Sequence, residues 1–188
     1  SGRYEWEALG FEGCCDGWQK LEVKTSCGTD DWSLVSTSTT YECAVRAPAI
    51  DFDDLEYESR AAPGFSYLEQ VILPATFTNA LAAFNLLDES GQYPADAYCS
   101  RTFADADSMS NQAACSHVRR ASNRNIGFHY KMPFVAYRSG DYQFRFHTDW
   151  GWGGFTCFGP AGSTKTDDQC TFHPGDIWGH IYFTESIP

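Results

Sequence analysis

The chain has 188 residues, 43% of them hydrophobic and 16% aromatic, which is enough to bury one ordinary core and cramped for two. Its formal net charge of -12 repels phosphate backbones and anionic lipid heads, so a nucleic-acid partner is excluded as an expectation. No apolar run approaches the roughly 20 residues of a membrane-spanning helix, and Val71-Ile-Leu-Pro-Ala75 is broken by its proline.

Frequent Gly, Pro, Ser and Thr with many aromatics predict short strands and turns, an all-β chain with one short helix and long loops. The first element is Ser1-Gly-Arg-Tyr-Glu-Trp-Glu-Ala8, a Ser-Gly turn followed by aromatics at alternate positions. A glycine-punctuated loop, Gly10 to Gly17, leads to a strand at Trp18 to Lys24, with Trp18, Leu21 and Val23 inward around a bulge at Gln19-Lys20. Trp32 to Tyr41 is β-branched and polar, a surface strand. Its hydroxyls at Ser36 to Thr40 are the favoured O-glycan tract, since none of Asn79, Asn85, Asn111, Asn123 or Asn125 begins an N-x-S/T pattern.

The acid-rich run Asp51 to Glu58 reads as a solvated loop or edge, and Ala61-Ala-Pro-Gly64 as a break within one fold. Phe65 to Phe77 reads as a strand pair around Pro74. Thr78 to Asp88 is a helix capped by Thr78 or Asn79, with Leu81, Phe84 and Leu87 on its buried stripe and a stop at Gly91 and Pro94. Ala95 to Asn125 is a long polar connection carrying the basic cluster His117, Arg119, Arg120 and Arg124. Ile126 to Tyr137 is a strand that leads into Ser139 to His147, where Tyr142, Phe144 and Phe146 share one face and Asp141, Gln143 and Arg145 the other. Asp149 to Phe155 is a glycine-aromatic turn, and Gly175 to Phe183 supplies the partner strand.

Eight cysteines, Cys14, Cys15, Cys27, Cys43, Cys99, Cys115, Cys157 and Cys170, flank turns in a chain without a C-x-x-C pair. Four disulfides in an oxidising, extracellular compartment are expected, with Cys157 to Cys170 and Cys99 to Cys115 the cheapest local bridges. The other four leave three pairings open. Enzyme motifs are absent: no G-x-S-x-G, no Walker loop, no dinucleotide fingerprint, no H-E-x-x-H. His147, Asp149, His173, Asp176 and His180 flank one hairpin and are the sole candidate metal set, but structural histidines are the commoner use of imidazoles inside aromatic strands. We therefore expect no enzyme, no cofactor and no metal site.

The run Ser139-Gly-Asp-Tyr-Gln-Phe-Arg-Phe146, its acidic glycine turn and the strand Gly175 to Phe183 resemble the central hairpin of PA14-like secreted β-sandwiches, a group that includes adhesins and carbohydrate binders. The resemblance implies a disulfide-bonded jelly roll over residues 65 to 183 plus the opening strands. Sugar-binding members hold calcium through two consecutive aspartates after the central strand; here only Asp149 matches, which leaves Asp149, Trp150 and Trp152 as the candidate sugar site. Glu7 to Gly17 resembles segments of secreted algal and protist proteins, where it follows a strand like Gly175 to Phe183. Written end to start, Phe183 to Pro188 followed by Ser1 to Phe11 is an ordinary strand-turn-strand, so the order looks circularly permuted. The chain opens on Ser1-Gly2 rather than Met, as a mature chain after signal removal or a section of a tandem polypeptide does.

These observations predict one domain over 1–188 whose opening strands, residues 1–24, complete the sheet of a neighbouring copy. The expected interface is Tyr4, Trp6, Ala8 and Phe11 against Ile177, Ile181 and Phe183, and the expected function is an extracellular filament or surface-layer subunit assembled head-to-tail with copies of itself. The alternative is a secreted carbohydrate-binding module with glycans as partners, and a metal-dependent enzyme is the distant third.

Overall fold

The computed structural model describes residues 2–12, 19–24, 31–38, 50–61, 76–89, 98–104, 106, 126–175 and 177–188. Most of these residues lie in two antiparallel sheets packed face to face, with one helix and one disulfide. The larger sheet contains β1 (Gly2–Glu12), β4 (Ile50–Phe52), β5 (Leu55–Ala61), β6 (Tyr98–Phe103), β7 (Ile126–Ala136), β9 (Gly153–Pro160) and β10 (Cys170–Pro174). Its order is β10-β9-β1-β7-β5-β6, with β4 also on β7. The smaller sheet is β11-β8-β2-β3, built from β2 (Lys20–Lys24), β3 (Trp32–Leu34), β8 (Gly140–Trp150) and β11 (Ile177–Ile187).

The alternation in β8 comes out as read: Tyr142, Phe144 and Phe146 are buried between the sheets, and β11 pairs antiparallel with β8 from Ile177↔Trp150 to Ile187↔Gly140. Phe128, Tyr130, Met132 and Phe134 of β7, with Trp6 and Ala8 of β1, answer them from the larger sheet, and Leu21 and Val23 of β2 join them from the smaller one. β7 and β8 follow one another in the chain but belong to opposite sheets, so Tyr137 to Ser139 crosses the sandwich. β2 keeps an unbroken register with β8 from Lys20 to Val23, and Gln19 just before it is at 0% exposure; Trp18, on the other side of the expected bulge, lies outside the described residues.

Three expectations change. The acidic run is strand, not loop: β4 and β5 lie end to end along one edge of β7, with Leu55 and Tyr57 inward, while Glu56, Glu58 and Arg60 take the other face. The two strands break at Asp53-Asp54 opposite Pro133, which has no N–H to offer and whose carbonyl accepts from the Asp53 amide at 2.9 Å. Tyr98–Phe103, expected within a polar connection, is β6, paired with β5 from Leu55↔Phe103 to Arg60↔Tyr98. The expected strand pair before the helix lies outside the described residues apart from Thr76 and Phe77, and Phe77 begins the helix.

That helix, α1 (Phe77–Glu89), is capped by Thr76, whose hydroxyl accepts from the Asn79 amide at 3.3 Å. Asp167, from a one-turn helix before β10, accepts from the Thr78 amide and hydroxyl, both at 2.9 Å. The buried face of α1 is Phe77, Ala80 and Phe84, packed with Leu9, Phe11, Phe155 and Cys157 on the side of the larger sheet turned away from the smaller one. The larger sheet is thus covered on both faces near β1, which explains why every residue from Glu5 to Glu12 is buried.

Cys157 and Cys170 sit opposite one another in the β9–β10 ladder and are joined by a disulfide, as the local spacing predicted. The pairings of the other six cysteines lie outside the described residues. Among the described residues, no helix is long and apolar enough to cross a membrane.

One carboxyl is set against the fold. Glu185 lies on the inward face of β11, and burial pushes its pKa up from 4.5 to about 7. The native state therefore holds this proton more tightly than the unfolded chain, so the contribution is fully present below about pH 4.5 and is lost as pH rises through about 7. Glu185→Gln is expected to be about 1–2 kcal/mol more stable than the native chain at pH 8, after allowance for solvent screening, and equal to it at pH 4.5. Urea unfolding of the two chains at both pH values measures this, and a difference that does not change with pH refutes it.

Candidate functional site

Strand β1 occupies the centre of the larger sheet between two strands that come far later in the chain. It pairs with β7 along its whole length, from Gly2↔Ala136 to Glu12↔Ile126, and with β9 from Tyr4↔Pro160 to Phe11↔Gly153. Among the described residues, no other strand joins β9 and β10 to β7. Taking β1 out would split the sheet and leave two open ladder edges around an apolar groove.

The groove is specific on both faces. Toward the smaller sheet, the Tyr4 ring stacks on Phe158 with centroids 5.5 Å apart, and Trp6 meets Phe146 at 5.0 Å and Phe183 at 6.3 Å. Ala8 is completely buried, and Gly10 lies under the Trp150 indole so closely that a Cβ there would fall 2.1 Å from its ring. On the other face stand Glu5, Glu7, Leu9 and Phe11, all buried.

Two buried carboxylates on one strand need partners, and the surrounding strands supply them. Lys165, from the turn after β9, has a side chain at 0% exposure. Its ammonium donates to Glu5 Oε1 at 2.8 Å and to the carbonyls of Pro160 at 3.0 Å and Ser163 at 2.9 Å, which uses all three protons, and it lies 4.0 Å from Glu7 Oε2. Glu7 Oε1 is hydrogen-bonded to His129 Nε2 of β7, and the His129 ring is held edge-on by Phe84 of α1 at 5.6 Å. At the end of the strand, Glu12 Oε2 accepts from the Gly151 amide at 2.8 Å. Sequence reading missed Glu5, Glu7, His129 and Lys165. Alternation placed the two acids on one face, but what covers that face comes from residues beyond 76.

Tyr4, Trp6, Ala8 and Phe11 are thus partners of β7, β9 and α1, and not ladder partners of β11. Ile181 and Phe183 belong to the opposite sheet, where Ile181 is buried and Phe183 faces Trp6 across the core; Ile177 is hydrogen-bonded into the β8 ladder. Within the chain Tyr4–Phe11 does not lie beside Ile177–Phe183: both edges of β1 are taken by β7 and β9, and Trp6 of β1 stacks on Phe183 of β11 across the core instead. Gly2 is in register with Ala136 and Ile187 with Gly140, so the outer ends of β1 and β11 meet the two ends of the short crossing between β7 and β8.

The histidine set does not converge. His147 and His180 are side by side on the outward face of the smaller sheet, ring centroids 4.9 Å apart. Burial lowers the pKa of both, helped at His147 by His180 and Lys20 and at His180 by Arg145. His173 is in the other sheet, hydrogen-bonded to the Thr156 hydroxyl at 2.8 Å, its pKa lowered by burial. Asp176 lies outside the described residues. Among those residues no three His, Cys, Asp or Glu side chains group as metal ligands.

Nor do Asp149, Trp150 and Trp152 form one surface. Trp150 is wholly buried against Gly10, whereas Asp149 and Trp152 are both half-buried, Trp152 packing on the second core. The aromatic face that the smaller sheet does present is elsewhere. Arg145 lies over the Trp32 ring at 4.8 Å, Tyr182 meets Trp32 edge-on at 5.9 Å, and a shallow depression runs past Gln143 and Thr184. Arg145 and Lys20 both hydrogen-bond to Glu22, at 2.5 and 3.0 Å; burial pushes that carboxyl up, but the two cations outweigh it and hold its pKa below the ordinary value.

No family model, no curated protein and no solved structure matches this chain. Function has to be argued from the site.

Proposed function

We propose that the protein is a structural subunit of an extracellular filament or surface layer, a PA14-like β-sandwich in which β1 of one copy fills the central slot of the next. The observation that carries this reading is the position of β1. It is a strand buried on both faces from Glu5 to Glu12 and inserted between β7 and β9, which come far later in the chain. Such a strand makes the same ladder whether it comes from its own chain or from a neighbour. A slot of this kind favours exchange because an empty one exposes two ladder edges and the sites of Trp6, Leu9 and Phe11 at once. The contact rests on apolar burial and backbone pairing, so salt should reverse it poorly. The Cys157–Cys170 disulfide fits an oxidising, extracellular setting.

Removing residues 2–11 from the full chain tests the reading. The shortened chain is expected to form no polymers, to stay soluble when supplied with a synthetic peptide of residues 1–12, and to bind that peptide one to one. Polymers of normal length from the shortened chain would overturn strand exchange. They would leave a monomeric secreted carbohydrate-binding module as the better reading, with the Trp32, Arg145 and Tyr182 face as its surface.

A further inference from the structure

The slot does more than accept a strand: its walls specify one. Resting on the strand-exchange reading above, we propose that the groove between β7 and β9 is a recognition site for a second copy of this chain. It selects a segment with two acids, then two apolar residues, at alternate positions on its outer face, and Lys165 and His129 read the acids.

Four consecutive outward positions meet three different environments. Glu5 meets the Lys165 ammonium, Glu7 meets His129, and Leu9 and Phe11 meet the apolar cluster of Phe77, Phe84 and Phe155. The inward positions impose a second condition. Tyr4 and Trp6 fit between aromatic rings, Ala8 has no spare room, and only a residue without Cβ clears Trp150 at position 10. A slip of two residues keeps the faces but moves Glu7 to the place of Glu5, Leu9 against His129, and Glu12 beneath Trp150, which its Cβ cannot clear. A slip of one turns both acids into the aromatic core. The buried charges thus fix register, and a strand without them leaves Lys165 unpaired from any carboxylate in a site shut off from water.

The two partners of the Glu5–Lys165 pair stand in different parts of the chain, so they can be changed separately. A chain with Glu5→Leu carries an altered strand and a native slot; a chain with Lys165→Met carries a native strand and an altered slot. Replacing one partner of a buried pair strands the other, whereas replacing both with apolar groups of similar size is close to neutral. Each variant alone is expected to assemble on the order of a hundredfold more weakly than the native chain. An equal mixture is expected to recover polymers, because the strand of each Glu5→Leu chain then finds the altered slot of a Lys165→Met chain, and the native strand of the latter finds the native slot of the former. Unimpaired assembly of either variant alone would overturn the selection rule. Recovery only when both substitutions share one chain would keep the rule and overturn exchange between copies; no recovery in either arrangement would overturn the rule.

A second measurement needs no altered protein. A peptide of residues 1–12 added to native chains is expected to cap growing polymers, and the same peptide with Glu5→Leu is expected to need about a hundredfold higher concentration. Equal potency of the two peptides would refute selection by Lys165.

Discussion

Gly10→Ala is expected to destabilise the fold by about 3 kcal/mol, although it adds a single methyl group to an extended strand. The added Cβ would sit 2.1 Å from both Cε2 and Nε1 of Trp150, and the indole has nowhere to go. It is 0% exposed, its Cε3 atom would stand 2.9 Å from a Cβ on Gly154, and Phe146 closes it in with ring centroids 5.5 Å apart. The backbone at Gly10 is ordinary strand, so the whole cost is steric, and this supplies the control. Trp150→Leu removes the obstacle and costs a cavity by itself, but combined with Gly10→Ala it should cost at least about 1 kcal/mol less than the sum of the two single changes, as neighbouring sites that share a space do. Urea unfolding of the four chains measures the coupling. A Gly10→Ala chain within about 0.5 kcal/mol of native would show that Trp150 can move aside, and the Gly10 condition on the slot would fall with it.

How much of this was legible in the sequence depended on whether a feature was local. The strands β7, β8 and β11 announced themselves because aromatics alternate with polar residues over many positions, and Cys157 with Cys170 because a short loop separates them. The helix was legible but its cap was misplaced by two or three residues, since Thr76, Thr78 and Asn79 are all good caps and the choice went to Thr76 while Asp167, from beyond β9, tied down Thr78. Alternation says which side chains share a face; it does not say whether that face is covered. Alternation alone does not tell Glu5 and Glu7 from Glu56 and Glu58, each pair standing between apolar positions of its strand. Only the first pair is sealed, because α1, β10 and the Lys165 turn close over β1 and leave the Glu56–Glu58 side of β5 open beside Lys131. For Trp150 the sequence leaves two readings open, since a tryptophan beside glycine is as often a core plug as a ring for stacking on a sugar. It is a core plug because Gly10 and Gly154, remote in sequence, leave it the space.

Trp6→Ala is expected to cost about 3–5 kcal/mol, the usual range for emptying the site of a large buried aromatic. The ring is 1% exposed and spans the gap between the sheets, edge-on to Phe146 and stacked on Phe183, so the strands around it cannot close the void without losing their ladder. Trp6→Phe should behave quite differently. The Nε1 donor of Trp6 has no hydrogen-bond partner among the described residues, so phenylalanine keeps most of the packing and removes a buried polar group that is itself a burden of about 1–3 kcal/mol. The net change is expected to stay within about 1.5 kcal/mol. A Trp6→Phe chain as weak as Trp6→Ala would mean that the indole N–H is satisfied after all. The same two variants also distinguish where β1 resides. If it folds into its own chain, the loss for Trp6→Ala is a shift in unfolding midpoint that does not depend on protein concentration. If it fills the slot of a neighbour, native unfolding is linked to assembly by mass action and its midpoint rises with concentration. Trp6→Ala then raises the concentration at which polymers first form by two orders of magnitude or more, while Trp6→Phe moves it by about tenfold at most.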